Sequence, residues 1–279
     1  MYSLVAIGFT LILGVLDKLN FAHQEVFMLG GFAGVVIAPF ASLWWSFPLA
    51  IALGGALGLL TEFVAFRRFK SQDAKIAASL SSLAIGLILV DAVQRHWGGE
   101  PVAVRSHESF FTARFSIAGI ELLYIQVFIF AVTLALMAAL HFVIMHTGFG
   151  RRIRAVAESP DDATLHGINV RRVSQGVFVI SSALAALTGL LLAQRTGYAS
   201  SEIGLTFGLK ALAIMAIGGI GDMRGAVLGG LAIGVLEALT YHFGLGRLGE
   251  MTVWAAMYAV LILRPAGLFS ARGHLEQRA

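Results

Sequence analysis

The run Val173-Ser174-Gln175-Gly176-Val177-Phe178-Val179-Ile180-Ser181-Ser182-Ala183-Leu184-Ala185-Ala186-Leu187-Thr188-Gly189-Leu190-Leu191-Leu192-Ala193-Gln194 contains no charged residue. A helix needs about 20 mostly apolar residues to cross a hydrocarbon core of about 30 Å. This stretch is long enough. Its apolar residues are continuous and lack the period-two alternation of a membrane barrel strand. Similar blocks lie at 1–16, 22–38, 44–66, 76–94, 120–145, 207–221, 225–243 and 249–263. The expected fold is therefore an all-α integral membrane protein with about eight or nine spanning or half-spanning helices. It forms one transmembrane domain over 1–279.

Composition agrees. Of 279 residues, 58% are hydrophobic and 13% charged, and the mean hydropathy is +0.83. Soluble domains carry about 25% charged residues. The 32 glycines against 5 prolines suit helices that pack closely in lipid. No cysteine is present, which excludes a disulfide framework, a thiolate metal site and a cysteine nucleophile. The net charge of +4 comes from residues scattered between apolar blocks, so it does not read as a nucleic-acid surface. Residues 1–16 are apolar at once, with no basic leader, and read as a first membrane helix.

The basic residues serve as topology markers. Arg67, Arg68, Lys70 and Lys75 form one patch, and Arg151, Arg152, Arg154, Arg171 and Arg172 a second. Arg264, Arg272 and Arg278 mark the tail. The positive-inside rule places all three in the cytoplasm, with the N-terminus outside and the C-terminus inside. The longest outer loop is then about 96–119.

Two segments differ from plain spans. Asn20-Phe21-Ala22-His23-Gln24-Glu25 sets polar and charged groups directly against an apolar run. Residues 207–222, from Phe207 and Lys210 to Gly218-Gly219-Ile220-Gly221-Asp222, are short and glycine-interrupted. Paired segments of this kind, one in each half of a chain, point to a substrate path made by broken helices. Tight helix packing is the plainer alternative. The coincidence of polar groups with broken periodicity in both places favours a path, with Asn20, His23, Gln24 and Glu25 as first candidates and Phe207 and Lys210 as second. Glu62 and Asp91 are expected near helix ends, close to water. Glu25, Lys210 and Glu237 fit a permeation path, a partner contact or an internal ion pair alike.

Gly54/Gly58, Gly221/Gly225/Gly229 and Gly230/Gly234 are spaced by four, so each set is expected to share a helix face and admit another backbone. Gly244-Leu245-Gly246-Arg247-Leu248-Gly249 matches a dinucleotide pattern but lacks its strand context and reads as a loop. No Walker A motif occurs, so any ATP must be bound by another chain. The eight histidines, His107 and His274 among them, have no metal-binding spacing, and no metal is expected. No nucleophile elbow occurs either, so an intramembrane enzyme is disfavoured.

Between the fifth and sixth apolar blocks lies a polar segment of about 148–172. Pro160 and Asp161 suit a helix start and Gly167 its end. A short helix on the cytoplasmic face follows, either solvated among lipid phosphates or docked to a soluble partner.

Four stretches, in order, resemble the permease family of branched-chain amino-acid ABC importers. Asn20-Phe21-Ala22-His23-Gln24-Glu25 with Met28-Leu29-Gly30 is similar to its NFAHGE…MLGA motif. Gly150-Arg151 through Arg154-Ala155, with Gly167-Ile168-Asn169, resembles its GRALRA…GIN segment. Gly208-Leu209-Lys210-Ala211 with Gly218-Gly219-Ile220-Gly221 and Gly225–Gly230 resembles its GLKAF…GGLGS block. Arg264-Pro265-Ala266-Gly267-Leu268-Phe269 is similar to its RPxGLFG tail.

The resemblance implies the ABC importer permease fold in a bacterial inner membrane. It implies a homologous second permease subunit, two cytoplasmic ATPases that bind the ATP and Mg, and a periplasmic binding protein, with membrane lipid around them and no nucleic acid. It also implies a coupling helix within 151–169, for which Arg151, Arg154, Glu158, Asp161, Asp162, Ala163 and Gly167 are the candidates. Asp161-Asp162-Ala163 followed by Gly167 has the spacing of the EAA-x3-G signature. The expected cargo is a branched-chain or related amino acid. Urea, amides or another small carboxylate are the alternatives, and an ATP-independent transporter using His23, Glu25 or Glu237 as a relay is the rival class. One departure stands out: the motif's glycine is Gln24 here, which adds bulk at a narrow point.

Overall fold

A computed structural model describes residues 1–69, 74–104, 113–117 and 120–269. Lys70, His107, Arg272, His274, Arg278 and much of the long loop lie outside the described residues. The chain is a helical bundle. Helices α1 (Tyr2–Leu16), α2 (His23–Ile37) and α3 (Ser46–Thr61) are followed by α4 (Lys75–Trp97) and α5 (Tyr124–His146). Two short helices, α6 (Gly148–Glu158) and α7 (Pro160–Leu165), precede α8 (Val170–Thr196), α9 (Ile203–Gly218), α10 (Met223–His242) and α11 (Gly249–Leu263). A π-turn over Glu62–Phe66 continues α3.

Among the described residues, six stretches are long and apolar enough to cross a membrane: Leu43–Phe66, α4, α5, α8, α10 and Gly246–Leu263. Helices α1, α2 and α9 are apolar but shorter. Among the described residues, the expected blocks fall on helices, and six of these stretches have full spanning length.

Helix α8, which carries the uncharged run 173–194, is the central post. Its 27 residues make about 40 Å of helix at 1.5 Å per residue. Most of its second half is buried, against α1, α2 and α3. Helices α4, α5 and α11 leave many apolar side chains exposed, including Leu87, Ile88, Phe130, Phe142 and Ile262. In water such a surface would be costly, whereas lipid solvates it.

Small residues set the close approaches. Gly54 of α3 lies against the Ser182 carbonyl of α8, and Gly58 against that of Phe178. A Cβ at Gly30 would overlap Ala186, and one at Gly189 would overlap the Phe27 carbonyl. In α10, Gly225 meets Gly218, and Gly229 lies beside Ile214. Gly221 departs from the expected helical face. It sits in the turn before α10 at φ +85°, where it approaches Gly14. The helix starts only afterwards, because Asp222 caps it by accepting from the N–H groups of Arg224 (2.7 Å) and Gly225 (3.2 Å).

The two ends of the bundle differ. At one end lie the α1 C-terminus, residues 67–69 after α3, the start of α4, α6, α7, the α9–α10 turn and residues 264–269 after α11. Arg67, Arg68, Arg151, Arg152, Arg171, Arg172 and Arg264 all belong to this basic end. At the other end, β1 (Val102–Ala103) pairs antiparallel with β4 (Tyr198–Ala199). A hairpin of β2 (Arg114–Ile117) and β3 (Ile120–Leu123) leads into α5. At the basic end the tail folds back: Leu268 N–H donates to the Ile217 carbonyl (2.8 Å) and Phe269 N–H to that of Gly218 (3.1 Å).

Candidate functional site

Chain direction reverses inside the bundle at residues 17–22. Asp17, at φ 52°, ends α1 by donating its N–H to the Leu13 carbonyl. Its carboxylate pairs with Lys75, and Lys18 donates to the Phe69 carbonyl at 2.6 Å, which pins this point to the basic end. The chain then climbs back in non-helical form. The His23 ring lies against Gly8, in the middle of α1, and the ideal Cβ of Gly8 comes within 3.5 Å of the carbonyl of Ser181, near the middle of α8. Helix α2 therefore begins halfway up the bundle.

Non-helical backbone at that depth must find its own partners. Phe21 N–H donates to Ser82 Oγ (2.9 Å) and Ala22 N–H to Asn20 Oδ1 (3.1 Å). His23 N–H donates to the Asn20 carbonyl (3.3 Å) and Glu25 N–H to that of Ala22 (3.1 Å). The polar residues of this segment thus support the break that their pattern announced. Ser82 gave no signal of this in the sequence, since one serine in an apolar run is ordinary.

The structure brings the two polar segments together. Helix α9 starts at Ile203, four residues before the expected segment, and runs unbroken to Gly218; the break follows at 219–222. Its Gly208 faces the side chain of Gln24, and its Gly204 faces Glu25. Gln24 Nε2 donates to Glu25 Oε1 at 3.0 Å. Phe207 stacks on Phe27 (centroids 5.3 Å apart) and on Tyr2 (5.4 Å). Asn20, His23, Gln24, Glu25 and Lys210 are all buried, and Phe207 is half-buried. The extra bulk of Gln24 is accommodated by the bare backbone of Gly208.

Lys210 and Glu237, left open between three roles by the sequence, form an internal ion pair at 2.8 Å. Tyr2 completes it: its hydroxyl donates to Glu237 Oε2, and Lys210 Nζ lies 3.4 Å from the same hydroxyl. The pair is buried, so each charge depends on the other. Tyr2 was invisible as a member because it lies over 200 positions away in the chain. Glu62, expected near water, is instead 3% exposed and accepts from Gln175 Nε2 at 3.5 Å. It is the first residue of the π-turn. Asp91 is exposed and pairs with Arg95 at 2.6 Å.

At the basic end, α6 was not foreseen. The sequence pointed to one short helix starting at Pro160, but residues 148–158 are helical as well. Thr147 caps α6 through Gly150 N–H (3.1 Å), and Ser159 caps α7 through Asp162 N–H (3.2 Å). Asn169 caps α8 through Arg172 N–H (3.1 Å). Gly167, at φ +76°, turns the chain between α7 and α8. Arg151, Glu158, Asp161 and Asp162 are exposed; Arg154 is exposed too, although its guanidinium donates to the Ile144 carbonyl at the end of α5. Ala163 departs from its expected place on a docking surface. It is 4% exposed because it is the apolar contact holding α7 to the core. Leu165, 84% exposed beside it, is the apolar residue that α7 presents outward, and the sequence did not single it out. A groove of about 670 Å³ runs between α6 and α7, lined among others by Arg151, Arg152, Glu158, Asp162 and His166.

Comparison with known proteins agrees with this architecture. The family described as branched-chain amino acid transport system / permease component matches residues 1–263. The chain is 33% identical to the high-affinity branched-chain amino acid transport system permease protein LivH of Salmonella typhimurium, covering 96% of this chain and 90% of that one. It is 30% identical to the corresponding protein BraD of Pseudomonas aeruginosa, over 96% and 91%. The galactose/methyl galactoside import permease protein MglC of Haemophilus influenzae is 28% identical over 73% of this chain and 59% of its own length. No solved structure matches significantly.

Proposed function

Since the chain belongs to the family of branched-chain amino acid transport system permease components, we propose that it forms half of the membrane path of an ATP-driven importer of branched-chain or related amino acids. The observation that carries this reading is the similarity to LivH across 96% of the chain. The family is one of transport components, not of enzymes.

In this reading the chain sits in a bacterial inner membrane, and the basic end is cytoplasmic because lysine and arginine concentrate there. The C-terminus is then cytoplasmic. The full-length helices and the shorter α1, α2 and α9 together make eight or nine spanning or half-spanning elements. A homologous permease subunit completes the path, two ATPase subunits bind ATP and Mg, and a periplasmic binding protein delivers the cargo. No cofactor is held by this chain itself.

Asn20, His23, Gln24 and Glu25 line the path at the mid-depth start of α2, with Phe207 and Lys210 on α9 behind them. This assignment is supported by the meeting of α2 and α9 through glycine and by the burial of polar groups at that seam. The α6–α7 unit is the contact for the ATPase, through Arg151, Arg154, Glu158, Asp161 and Asp162, with Gly167 setting the turn and Ala163 anchoring α7 from beneath. ATP binding draws the ATPases together, and the α6–α7 unit passes that motion to α5 and α8, the spans on either side of it. The path then switches between two states biased by nucleotide.

The test is uptake of labelled leucine by cells that lack their own branched-chain importers and express this chain with its partners. Uptake that requires a hydrolysis-competent ATPase is expected. Equal uptake with an ATPase disabled in its Walker motifs would overturn the ATP-driven reading and favour the secondary-transport class.

A further inference from the structure

The segment Asn20–Glu25 holds two buried side-chain atoms, Asn20 Nδ2 and Glu25 Oε2, without a hydrogen-bond partner. Each such atom costs about 1–3 kcal/mol, and native folds keep them rare. Two within six residues, one a donor and one an acceptor, leave this segment with polar groups that the surrounding chain does not satisfy.

Glu25 Oε2 is the atom whose chemistry is most specific. The residue is 5% exposed and stands in the first turn of α2. Its other oxygen, Oε1, is already held by the Gln24 amide, so the carboxylate is oriented and half-satisfied. What flanks it is glycine from two other helices. An ideal Cβ on Gly204 of α9 would lie 2.5 Å from Oε2, and one on Gly86 of α4 would lie 3.1 Å from Glu25 Cγ. No neighbouring side chain can therefore reach in from these positions. Lys210, the buried cation of α9, is committed to Glu237. A metal is a poor match, since no group of three ligating side chains exists among the described residues.

An oriented carboxylate with one free oxygen, in a low-dielectric site, calls for a cationic N–H donor. Met28, one turn along α2, and Ile203, next to Gly204, share one apolar cluster beside it. We propose that Glu25 Oε2 receives the α-ammonium group of the amino acid in transit when α9 moves away from α2, with Met28 and Ile203 meeting its aliphatic side chain. In the arrangement seen here the Gly204 and Gly208 faces close that position. The inference rests on the importer reading above and adds to it the atom that recognises the cargo.

The experiment uses the assembled permease–ATPase complex without binding protein, so that the permease alone meets the probe. Thermal unfolding is followed with 3-methylbutylammonium, which keeps the ammonium of leucine but not its carboxylate, and with 4-methylpentanoate, which keeps the carboxylate but not the ammonium. The wild type should be stabilised by the amine and not by the acid. Glu25→Gln should reduce the apparent affinity for the amine at least tenfold, and Glu25→Asp, which retains the charge, should lie between if the Gln variant does not assemble. In parallel, leucine transport by the complete importer should fall at least tenfold in Glu25→Gln. Equal responses of wild type and variants to the amine, or stabilisation by the acid as strong as by the amine, would overturn the ammonium assignment. If the wild-type importer moves no aliphatic amino acid at all, the importer reading itself fails, and the two failures are told apart.

Discussion

Leu268 donates its backbone N–H to the carbonyl of Ile217, 2.8 Å away, and so ties the chain after α11 to the last turn of α9. The bond matters because the final carbonyls of a helix have no partner within it. Gly267 makes it achievable: at φ +85° it lies against Gly219, so close that a Cβ would overlap the backbone there. The strap thereby fixes the end of the helix whose other half carries Phe207, Gly208 and Lys210.

Replacing Gly267 by alanine should release this strap. The left-handed backbone alone costs a residue with a Cβ about 1–2 kcal/mol, and the overlap with Gly219 adds to it. For a chain of this size about 1 kcal/mol corresponds to a shift of about 2–4 °C. A fall of at least that size is expected in thermal unfolding of the purified protein, whereas Gly244→Ala, also at positive φ but with open space around it, should cost only the backbone part.

The Lys210–Glu237 pair predicts a strongly non-additive cycle. Lys210→Met or Glu237→Gln alone leaves a charge or a donor buried without its partner, at a cost of about 3–5 kcal/mol for a broken buried pair. Lys210→Met combined with Glu237→Leu should recover most of the loss, because two apolar groups replace two charges. Denaturation midpoints of the two singles and the double give the coupling energy.

Gln24 and Gly208 should behave as a matched pair. A methyl at Gly208 would overlap the Gln24 side chain, so Gly208→Ala should reduce leucine uptake several-fold. Adding Gln24→Gly removes the obstruction and should restore most of the uptake. A double variant no better than Gly208→Ala would show that this contact does not limit transport.

Leu165 and Ser159 separate docking from folding in the α6–α7 unit. Leu165→Asp should leave the unfolding temperature unchanged, since the side chain is 84% exposed, yet weaken co-purification of the ATPase and its coupling to uptake. Ser159→Ala removes the cap of α7 and should cost about 1 kcal/mol, with a matching loss of stability. If Leu165→Asp retains full uptake and ATPase association, the docking role of α7 is wrong.

Much of this protein is written locally. The continuous apolar blocks place the apolar helices among the described residues, because a hydrocarbon solvent forces backbone groups to bond within their own segment. Pro160, Asp161 and Gly167 locate α7 because caps and turns are local chemistry. The polar run Asn20–Glu25 likewise marks a break, since polar atoms at that position compete with the helix for its backbone. Other features arise only when distant segments meet. The pattern could not tell that Gly221 belongs to a turn, because spacing by four is satisfied on either side of a helix start. Nor could it turn Ala163 inward, join Tyr2 to Glu237, or set Gly204 and Gly208 against Glu25 and Gln24. Those outcomes depend on which backbone faces which at van der Waals distance. That is decided by the packing of whole helices against α8, where glycines set how near two segments come and the buried charges of Lys210 and Glu237 meet from distant parts of the chain.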